Sequence, residues 1–235
     1  MREALPVVLI PGLIASPRFF AAQIPALWTF GPVTVADHTR GDSMVALAMG
    51  ILAAAPPRFA LAGHSMGGYI AFEIMRQAPG RVARLALLDT AARADTPEQS
   101  AKRTSQIALA QSGRFDEIVA GQFPAFVHPS RKDDKALANY MRAMAKDNGP
   151  DAFVRQQTAI MQRPDSRPNL ATIRCATVVI VGDSDPITPP ERAQEMADGI
   201  AAARLVTIRA CGHMCAIERP QAVTQALVDW MHGAR

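Results

Sequence analysis

The sequence predicts an α/β fold: a doubly wound, mostly parallel sheet of about six strands with a helical cap insertion. Short apolar runs alternate with helix-like stretches along most of the chain, and the runs are apolar throughout rather than at every second position. Strands of this kind are buried on both faces, as in a parallel sheet covered by helices. The alternation of strand and helix is typical of doubly wound α/β proteins.

Six apolar runs bounded by turns are the predicted strands. They cover residues 6–11, 32–36, 58–62, 84–88, 177–181 and 204–208. Helix-like stretches lie between and after them. These stretches cover residues 43–55, 67–77, 190–200 and 220–232. The order of elements predicts a core made from two separate parts of the chain, residues 1–91 and 171–235.

Residues 92–170 form the predicted cap, because this segment has helical patterns and no strand pattern. The helical stretches are 97–110, 116–119, 133–145 and 151–161. Apolar residues recur at near-helical spacings along them, which predicts that they pack on the sheet. Some of these residues are also expected to line a pocket above the strand ends, where α/β folds bind ligands.

Composition excludes several other classes of protein. The chain has 235 residues, enough to bury a core without disulfides or metals. No apolar run reaches the ~18 residues of a membrane span, and no basic tract suggests a nucleic-acid partner. The three cysteines, the absence of a zinc-ligand spacing and the absence of a basic leader predict a reduced, cytoplasmic chain without metal or cofactor.

The candidate nucleophile is Ser65, in the segment Gly63-His-Ser-Met-Gly-Gly68. A serine hydroxyl is a weak nucleophile, so it must be exposed, oriented and deprotonated during attack. This segment follows a predicted strand and opens a predicted helix. Flanking glycines permit the sharp turn, and the amino end of the helix favours developing negative charge.

An acid and a base follow two later strands. Asp185 comes just after strand 177–181, and His213 comes shortly after strand 204–208. The carboxyl ends of parallel strands lie at one edge of the sheet, where active-site loops gather. The three side chains are therefore predicted to meet there.

In this order of serine, aspartate and histidine, the sequence resembles the α/β-hydrolase family over nearly its whole length. Two further motifs carry the resemblance. They are the acid loop with Gly182, Asp185 and Pro189, and the histidine motif with Gly212, His213, Glu218 and Pro220. Members usually begin with a β-hairpin before the first of these strands, whereas only five residues precede Pro6 here, so the expected sheet is a trimmed version.

The resemblance implies a role for each matched position. Ser65 would be the acyl-accepting nucleophile, His213 the general base and then general acid, and Asp185 the residue that orients the imidazole. The backbone N–H groups of Leu13 and Met66 would form the oxyanion hole. Gly67 and Gly68 are interpreted as packing residues. The loop before Leu13 reads Pro-Gly where many members have His-Gly, but the donor is backbone, so the hole is expected to survive.

Other residues compete for these roles. Asp89, after the strand 84–88, and Asp183 are alternatives to Asp185 as the acid, although Asp183 is better interpreted as a turn residue. His64 is interpreted as a buried hydrogen-bonded neighbour of the nucleophile, and Glu218 as a cap of the last helix or a brace for the histidine loop. The remaining histidines and the cysteines near His213 are interpreted as structural. These are His38, His128 and His232, expected in loops or at the surface, and Cys211 and Cys215, expected as apolar filler.

The predicted substrate is a small or medium uncharged carboxylic ester or lactone, because the predicted pocket residues are mainly apolar. Thioester cleavage, C–C-bond hydrolysis and cofactor-free perhydrolysis would use the same three residues. A ligand-binding protein that keeps the fold without turnover is the alternative from a different class. Monomer and homodimer both stay open.

Overall fold

The computed structural model describes residues 4–201 and 203–233, and these form a six-stranded parallel sheet. The strands are β1 (Val7–Ile10), β2 (Val33–Val35), β3 (Phe59–His64), β4 (Val82–Leu88), β5 (Ala176–Gly182) and β6 (Ala203–Ile208). Their spatial order is β2-β1-β3-β4-β5-β6, and every neighbouring pair is parallel. The predicted fold class is confirmed, and each predicted strand lies where the sequence placed it. Among the described residues, β1 is the first strand in the chain.

Helices cover both faces of the sheet, which explains why the strands are apolar at successive positions. The helices are α1 (Ile24–Leu27), α2 (Met44–Ala54), α3 (Met66–Gln77), α4 (Pro97–Gln111), α5 (Phe115–Phe126), α6 (Lys135–Met161), α7 (Pro190–Gly199), α8 (Cys215–Glu218) and α9 (Pro220–His232). Val8 and Ile10 of β1 join the core with α2, α3 and α7. Val7 and Leu9 point the other way and join the core with α1 and α9.

Three helices, α4, α5 and α6, lie between β4 and β5 in the chain and pack on one another. The rings of Phe115 and Phe153 lie 5.5 Å apart at the centre of this group. The two stretches predicted as 133–145 and 151–161 form one long helical segment, interrupted at Gly149, where φ is 78°. Pro150 follows directly, and its ring prevents a regular helix across this point. Across residues 4–201 and 203–233, none of the helices combines the length and apolar character needed to cross a membrane.

The order of the strands creates a crevice at one edge of the sheet. The chain runs from β1 outward to β2 and then returns past β1 to β3. Connections therefore leave in opposite directions at the carboxyl ends of β1 and β3, which is the position where open α/β sheets bind ligands. The loop containing Leu13 follows β1, and Ser65 follows β3.

The close approach of α3 to β1 gives a test of this packing. A Cβ atom on Gly67 would lie 2.1 Å from the carbonyl oxygen of Ile10, an atom that cannot move without shifting β1. We expect Gly67→Ala to lower the free energy of unfolding by about 3 kcal/mol, the upper end of the usual overpacking cost. The measurement is urea unfolding followed by circular dichroism.

Gly50→Ala is the matched control. Gly50 lies in α2, and nothing lies within 4 Å of the added methyl group. The same substitution should therefore raise the free energy of unfolding by about 0.5–1 kcal/mol. Equal changes in the free energy of unfolding for Gly67→Ala and Gly50→Ala would contradict the close contact between Gly67 and the backbone of Ile10.

Candidate active site

The turn between β3 and α3 holds Ser65 in a strained backbone conformation. Ser65 has φ 51° and ψ −116°, outside the regions that L-residues prefer. The turn is tight enough that a Cβ on Gly63 would lie 2.3 Å from the carbonyl oxygen of Gly67. The glycines that flank the serine are thus required by close backbone contact. This turn presents the hydroxyl of Ser65 at the carboxyl edge of the sheet.

Three side chains form a continuous hydrogen-bonded chain at this edge. The Oγ of Ser65 lies 2.9 Å from Nε2 of His213, and Nδ1 of His213 lies 2.8 Å from Oδ2 of Asp185. Asp185 accepts further hydrogen bonds from the backbone N–H and the hydroxyl of Thr188. Since Asp185 can only accept in its charged form, Nδ1 of His213 carries a proton and Nε2 is free to accept from Ser65.

Burial and neighbouring charges shift the pKa values of His213 and Asp185 in opposite directions. Burial disfavours the imidazolium, but the carboxylate of Asp185, with Asp89 and Glu218 further away, outweighs it and raises the pKa of His213 above its usual 6.5. Burial also disfavours the charged carboxylate, but His213 and Thr188 outweigh it and lower the pKa of Asp185. The arrangement therefore makes His213 a stronger base than free imidazole.

Two backbone amides, in the segments that follow β1 and β3, are the candidate donors to a developing oxyanion. Among the described residues, neither the N–H of Leu13 nor that of Met66 has a hydrogen-bond acceptor. Met66 is the first residue of α3, so its N–H lies at the positive end of the helix dipole. Donors of this kind are what a tetrahedral intermediate requires.

The loop that carries Leu13 is fixed by two buried side chains that the sequence did not reveal. Ile14 has φ 49°, a strained value for a β-branched residue, and its N–H donates to Oε1 of Gln156 at 3.0 Å. Nε2 of His38 lies 2.9 Å from the carbonyl oxygen of Gly12. His38 lies in a loop, as expected, but it is 3% exposed rather than at the surface. Its burial lowers its pKa, so it is neutral and holds the loop as a donor.

The alternative acids occupy structural positions. Asp89 is fully buried and accepts hydrogen bonds from the N–H of Gly182 at 2.9 Å and of Cys215 at 3.2 Å. It therefore ties the acid loop to the histidine loop but does not hydrogen-bond to His213. Asp183 accepts from backbone N–H groups of the loop after β6, as expected of a turn residue.

The neighbours of the serine and histidine also act structurally. His64 stacks on Phe19 with ring centroids 4.0 Å apart, and its Nε2 contacts the carbonyl oxygen of His213 at 2.9 Å. Burial, reinforced by the charge of His213, lowers the pKa of His64 to about 3, so it stays neutral. Glu218 accepts hydrogen bonds from the N–H groups of Gly212 and Met214 and so braces the histidine loop.

A cavity of about 70 Å³ opens above Ser65. Its walls are mainly apolar and come from the loop after β1, from α3 and from α4, α5 and α6. The apolar residues include Val119, Phe126, Met141, Met144, Ile160 and Ile187. Tyr69, Arg103 and Gln122 add polar groups that the sequence did not reveal, although the four-residue spacing from Ser65 could have indicated Tyr69. Within the described residues, no group of three or more His, Cys, Asp or Glu is arranged to hold a metal.

Comparisons with known proteins identify the family and the fold. A family model described as the alpha/beta hydrolase family matches residues 7–226. A candidate carbamate hydrolase, RutD, of Rhizobium rhizogenes is 27% identical over 93% of this chain and 89% of its own length. The pimeloyl-acyl-carrier-protein methyl ester esterase of Nitrosomonas europaea is 28% identical over 71% of this chain and 68% of its own. A thermophilic esterase from Thermogutta terrifontis, solved with malate bound, has a TM-score of 0.89 and 29% identity, and the match covers 98% of this chain and 90% of that one.

The buried carboxyl of Asp89 gives a test of the electrostatics. Burial, together with the nearby charge of Asp185, raises the pKa of Asp89 from 3.8 to about 8. Between pH 3.8 and about 8, the carboxyl of Asp89 is ionised in the unfolded chain but protonated in the folded protein. The free energy of unfolding therefore falls as pH rises through this range. We expect the free energy of unfolding of wild type to fall between pH 5 and 8 more steeply than that of Asp89→Asn, by up to about 1.4 kcal/mol per pH unit.

The measurement is urea unfolding at pH 5, 6.5 and 8. The Nδ2 group of asparagine cannot accept the hydrogen bond from the N–H of Cys215, so Asp89→Asn is less stable than wild type at every pH. The slope of the free energy of unfolding against pH is therefore compared, rather than the free energy itself. Asp133→Asn, which removes an exposed carboxylate, controls for the loss of one charge. Parallel slopes for wild type and Asp89→Asn would contradict a neutral Asp89.

Proposed function

The chain belongs to the alpha/beta hydrolase family, and from this membership we propose that it cleaves carboxylic esters or lactones through an acyl-enzyme on Ser65. The observation that carries the proposal is the hydrogen-bonded chain from Ser65 through His213 to Asp185 beneath a mainly apolar cavity. The relatives named as a methyl ester esterase and a thermophilic esterase support cleavage of esters.

In the proposed reaction, Oγ of Ser65 attacks the carbonyl carbon of the ester while His213 takes the hydroxyl proton on Nε2. The carbonyl oxygen becomes an oxyanion, which the N–H groups of Leu13 and Met66 stabilise. Asp185 stabilises the imidazolium that forms. The intermediate then collapses, the C–O bond to the alcohol breaks, and the alcohol leaves with the proton from His213.

The second half of the proposed reaction repeats these steps with water. His213, again neutral, removes a proton from a water molecule that attacks the acyl carbon. The same two amides hold the oxyanion, and His213 returns the proton to Oγ of Ser65 as the carboxylic acid leaves. The strained turn at Ser65 and the buried acid–base pair keep the reacting groups in place throughout, so little reorganisation is needed.

The proposed division of labour follows the arrangement of the chain. Residues 1–91 and 171–235 would supply the nucleophile, the base, the acid and the oxyanion hole, while residues 92–170 would form a cap that shapes the cavity. The cap supplies Val119, Phe126 and Met144 to the cavity walls. Apolar walls support a small or medium acyl chain beside the scissile bond. The cytoplasmic location and the small-molecule partner stay predictions.

The nucleophile is tested by Ser65→Ala. Removing Oγ leaves no atom to accept the acyl group, so we expect hydrolysis of p-nitrophenyl esters, from acetate to decanoate, to fall by at least about 1,000-fold. Labelling by a fluorophosphonate should also disappear. Initial rates and labelling of purified protein measure both effects.

Ser105→Ala is the matched control, because Ser105 is an exposed serine on α4 away from the cavity. It should keep the wild-type rate and label. A Ser65→Ala variant that keeps most of its rate would refute the assignment of the nucleophile. A folded wild type that cleaves no ester or lactone would instead favour a ligand-binding role or another reaction of the same three residues.

The pH dependence of hydrolysis tests the base and the acid. His213 acts only when neutral, and its pKa in the free enzyme is raised above 6.5, so kcat/KM should fall as pH decreases through a midpoint above 6.5. Asp185→Asn removes the charge that raises this pKa, so the midpoint should move to lower pH and the plateau rate should fall by about 1,000- to 10,000-fold.

Asp198→Asn serves as the control, because Asp198 is exposed on α7. Its profile should match wild type in midpoint and plateau. A wild-type profile that is flat from pH 5 to 8 would remove His213 from the proposed role, and an unchanged midpoint in Asp185→Asn would remove Asp185.

A further inference from the structure

One buried carboxylate lies between two arginines behind a wall of the cavity. Asp95, with a side chain 1% exposed, accepts from Nε of Arg103 at 2.7 Å and from Nη1 of Arg163. No other described carboxylate lies within ion-pair distance of either guanidinium. Arginine stays charged in proteins. Two positive charges against one negative charge leave the group with a net charge of +1 next to an apolar cavity.

Of the two arginines, only Arg103 lines the cavity. Arg163 is held by carbonyl oxygens of Arg93 and Ile160 as well as by Asp95. Arg103 uses Nε for Asp95 and Nη1 for Oε1 of Gln157 at 2.6 Å, but its Nη2 has no acceptor among the described residues. The cavity wall therefore presents a charged donor without a partner.

Tyr69 adds a second donor in the same cavity. Its side chain is 8% exposed, and its hydroxyl has no hydrogen-bond partner in the described part of the chain. The guanidinium of Arg163 lies 4.2 Å from the centre of the Tyr69 ring, and this positive charge favours the hydroxyl as a donor to an anion. Tyr69 is one helical turn after Ser65, so the anion site lies close to the nucleophile.

These groups fit a single carboxylate. One net positive charge and two separate donors match one negative charge and two oxygens, whereas a phosphate dianion would exceed both. Apart from Gln122, His64 and the reacting side chains, the remaining walls are apolar and suit an aliphatic chain. We infer that Arg103 and Tyr69 bind a carboxylate of the substrate, so that the preferred substrates are esters or lactones in which a short apolar chain separates one carboxylate from the reacting carbonyl group. This inference rests on the proposed function and replaces the uncharged substrate expected from the sequence.

The test compares isosteric substrates that differ in charge. Monomethyl esters of C4 to C8 dicarboxylic acids are compared with the methyl esters of the corresponding monoamides, and acetoxy-alkanoates with acetoxy-alkanamides, so that the carboxylate lies on the acyl side or the alcohol side. A charge-assisted hydrogen bond should make kcat/KM of wild type higher for the carboxylate in at least one series by about 10- to 100-fold.

Arg103→Gln should lower this carboxylate-to-amide ratio at least 10-fold, and Tyr69→Phe by about 3- to 10-fold. Tyr69→Phe removes a hydroxyl that has no partner to lose, so it keeps the test available if Arg103→Gln does not fold. Arg142→Gln is the matched control, because Arg142 is an exposed arginine of α6 that does not line the cavity, and it should keep the wild-type ratio.

Equal kcat/KM for carboxylate and amide in wild type would overturn the inference while leaving ester hydrolysis intact. A ratio that survives in both Arg103→Gln and Tyr69→Phe would overturn the assignment of these residues. If wild type cleaves no ester, the proposed function fails, and the anion site is then decided by binding. Monomethyl adipate should raise the Tm of Ser65→Ala more than its monoamide analogue does, and an equal shift would overturn the inference.

Discussion

The contact between the backbone of Gly67 and the carbonyl oxygen of Ile10 determines where the parts of the site can lie. It brings the amino end of α3 against the carboxyl end of β1, so the loop after β1 and the first turn of α3 share one crevice. The N–H groups of Leu13 and Met66 thereby lie on two elements that pack together next to Ser65, and Gln156 and His38 fix the loop that carries Leu13. A side chain at Gly67 would separate the two elements. The geometry of the candidate oxyanion hole thus depends on backbone packing within the core.

Charge at the site depends on how two buried carboxyls share a region of low dielectric. Asp185 is ionised because His213 and Thr188 hydrogen-bond to it. Burial and the charge of Asp185 raise the pKa of Asp89 to about 8, so Asp89 remains neutral near neutral pH. Two buried carboxylates that were both ionised would each cost free energy, because burial removes their hydration. The neutral His64 likewise avoids a second positive charge beside His213. The result is one charged acid, one active base and a set of neutral neighbours that hold the loops.

The sequence predicted those features that depend on one strand and the turn after it. The six strands are apolar at successive positions because both faces are covered, and Ser65, Asp185 and His213 each follow a strand, so their meeting at one edge follows from parallel topology. Arg103 was out of reach, because its position depends on how α4 packs over the sheet. The burial of His38 has the same cause: its contact with Gly12 joins loops after two different strands. Such tertiary contacts leave no periodic signal in the chain.

The helices between β4 and β5 also change what the cavity can discriminate. The guanidiniums of Arg103 and Arg163 share one carboxylate, and no other described carboxylate balances the remaining positive charge. An incoming carboxylate would complete the charge balance, whereas a neutral chain of the same shape would exclude water from Arg103 and leave its free donors unpaired. Discrimination between charged and neutral substrates would therefore come mainly from weaker binding of the neutral ones, rather than from tighter binding of the charged ones. On this view the residues at the edge of the parallel sheet could cleave many esters. The single excess positive charge among α4, α5 and α6 would restrict the preferred substrates to esters that carry a carboxylate.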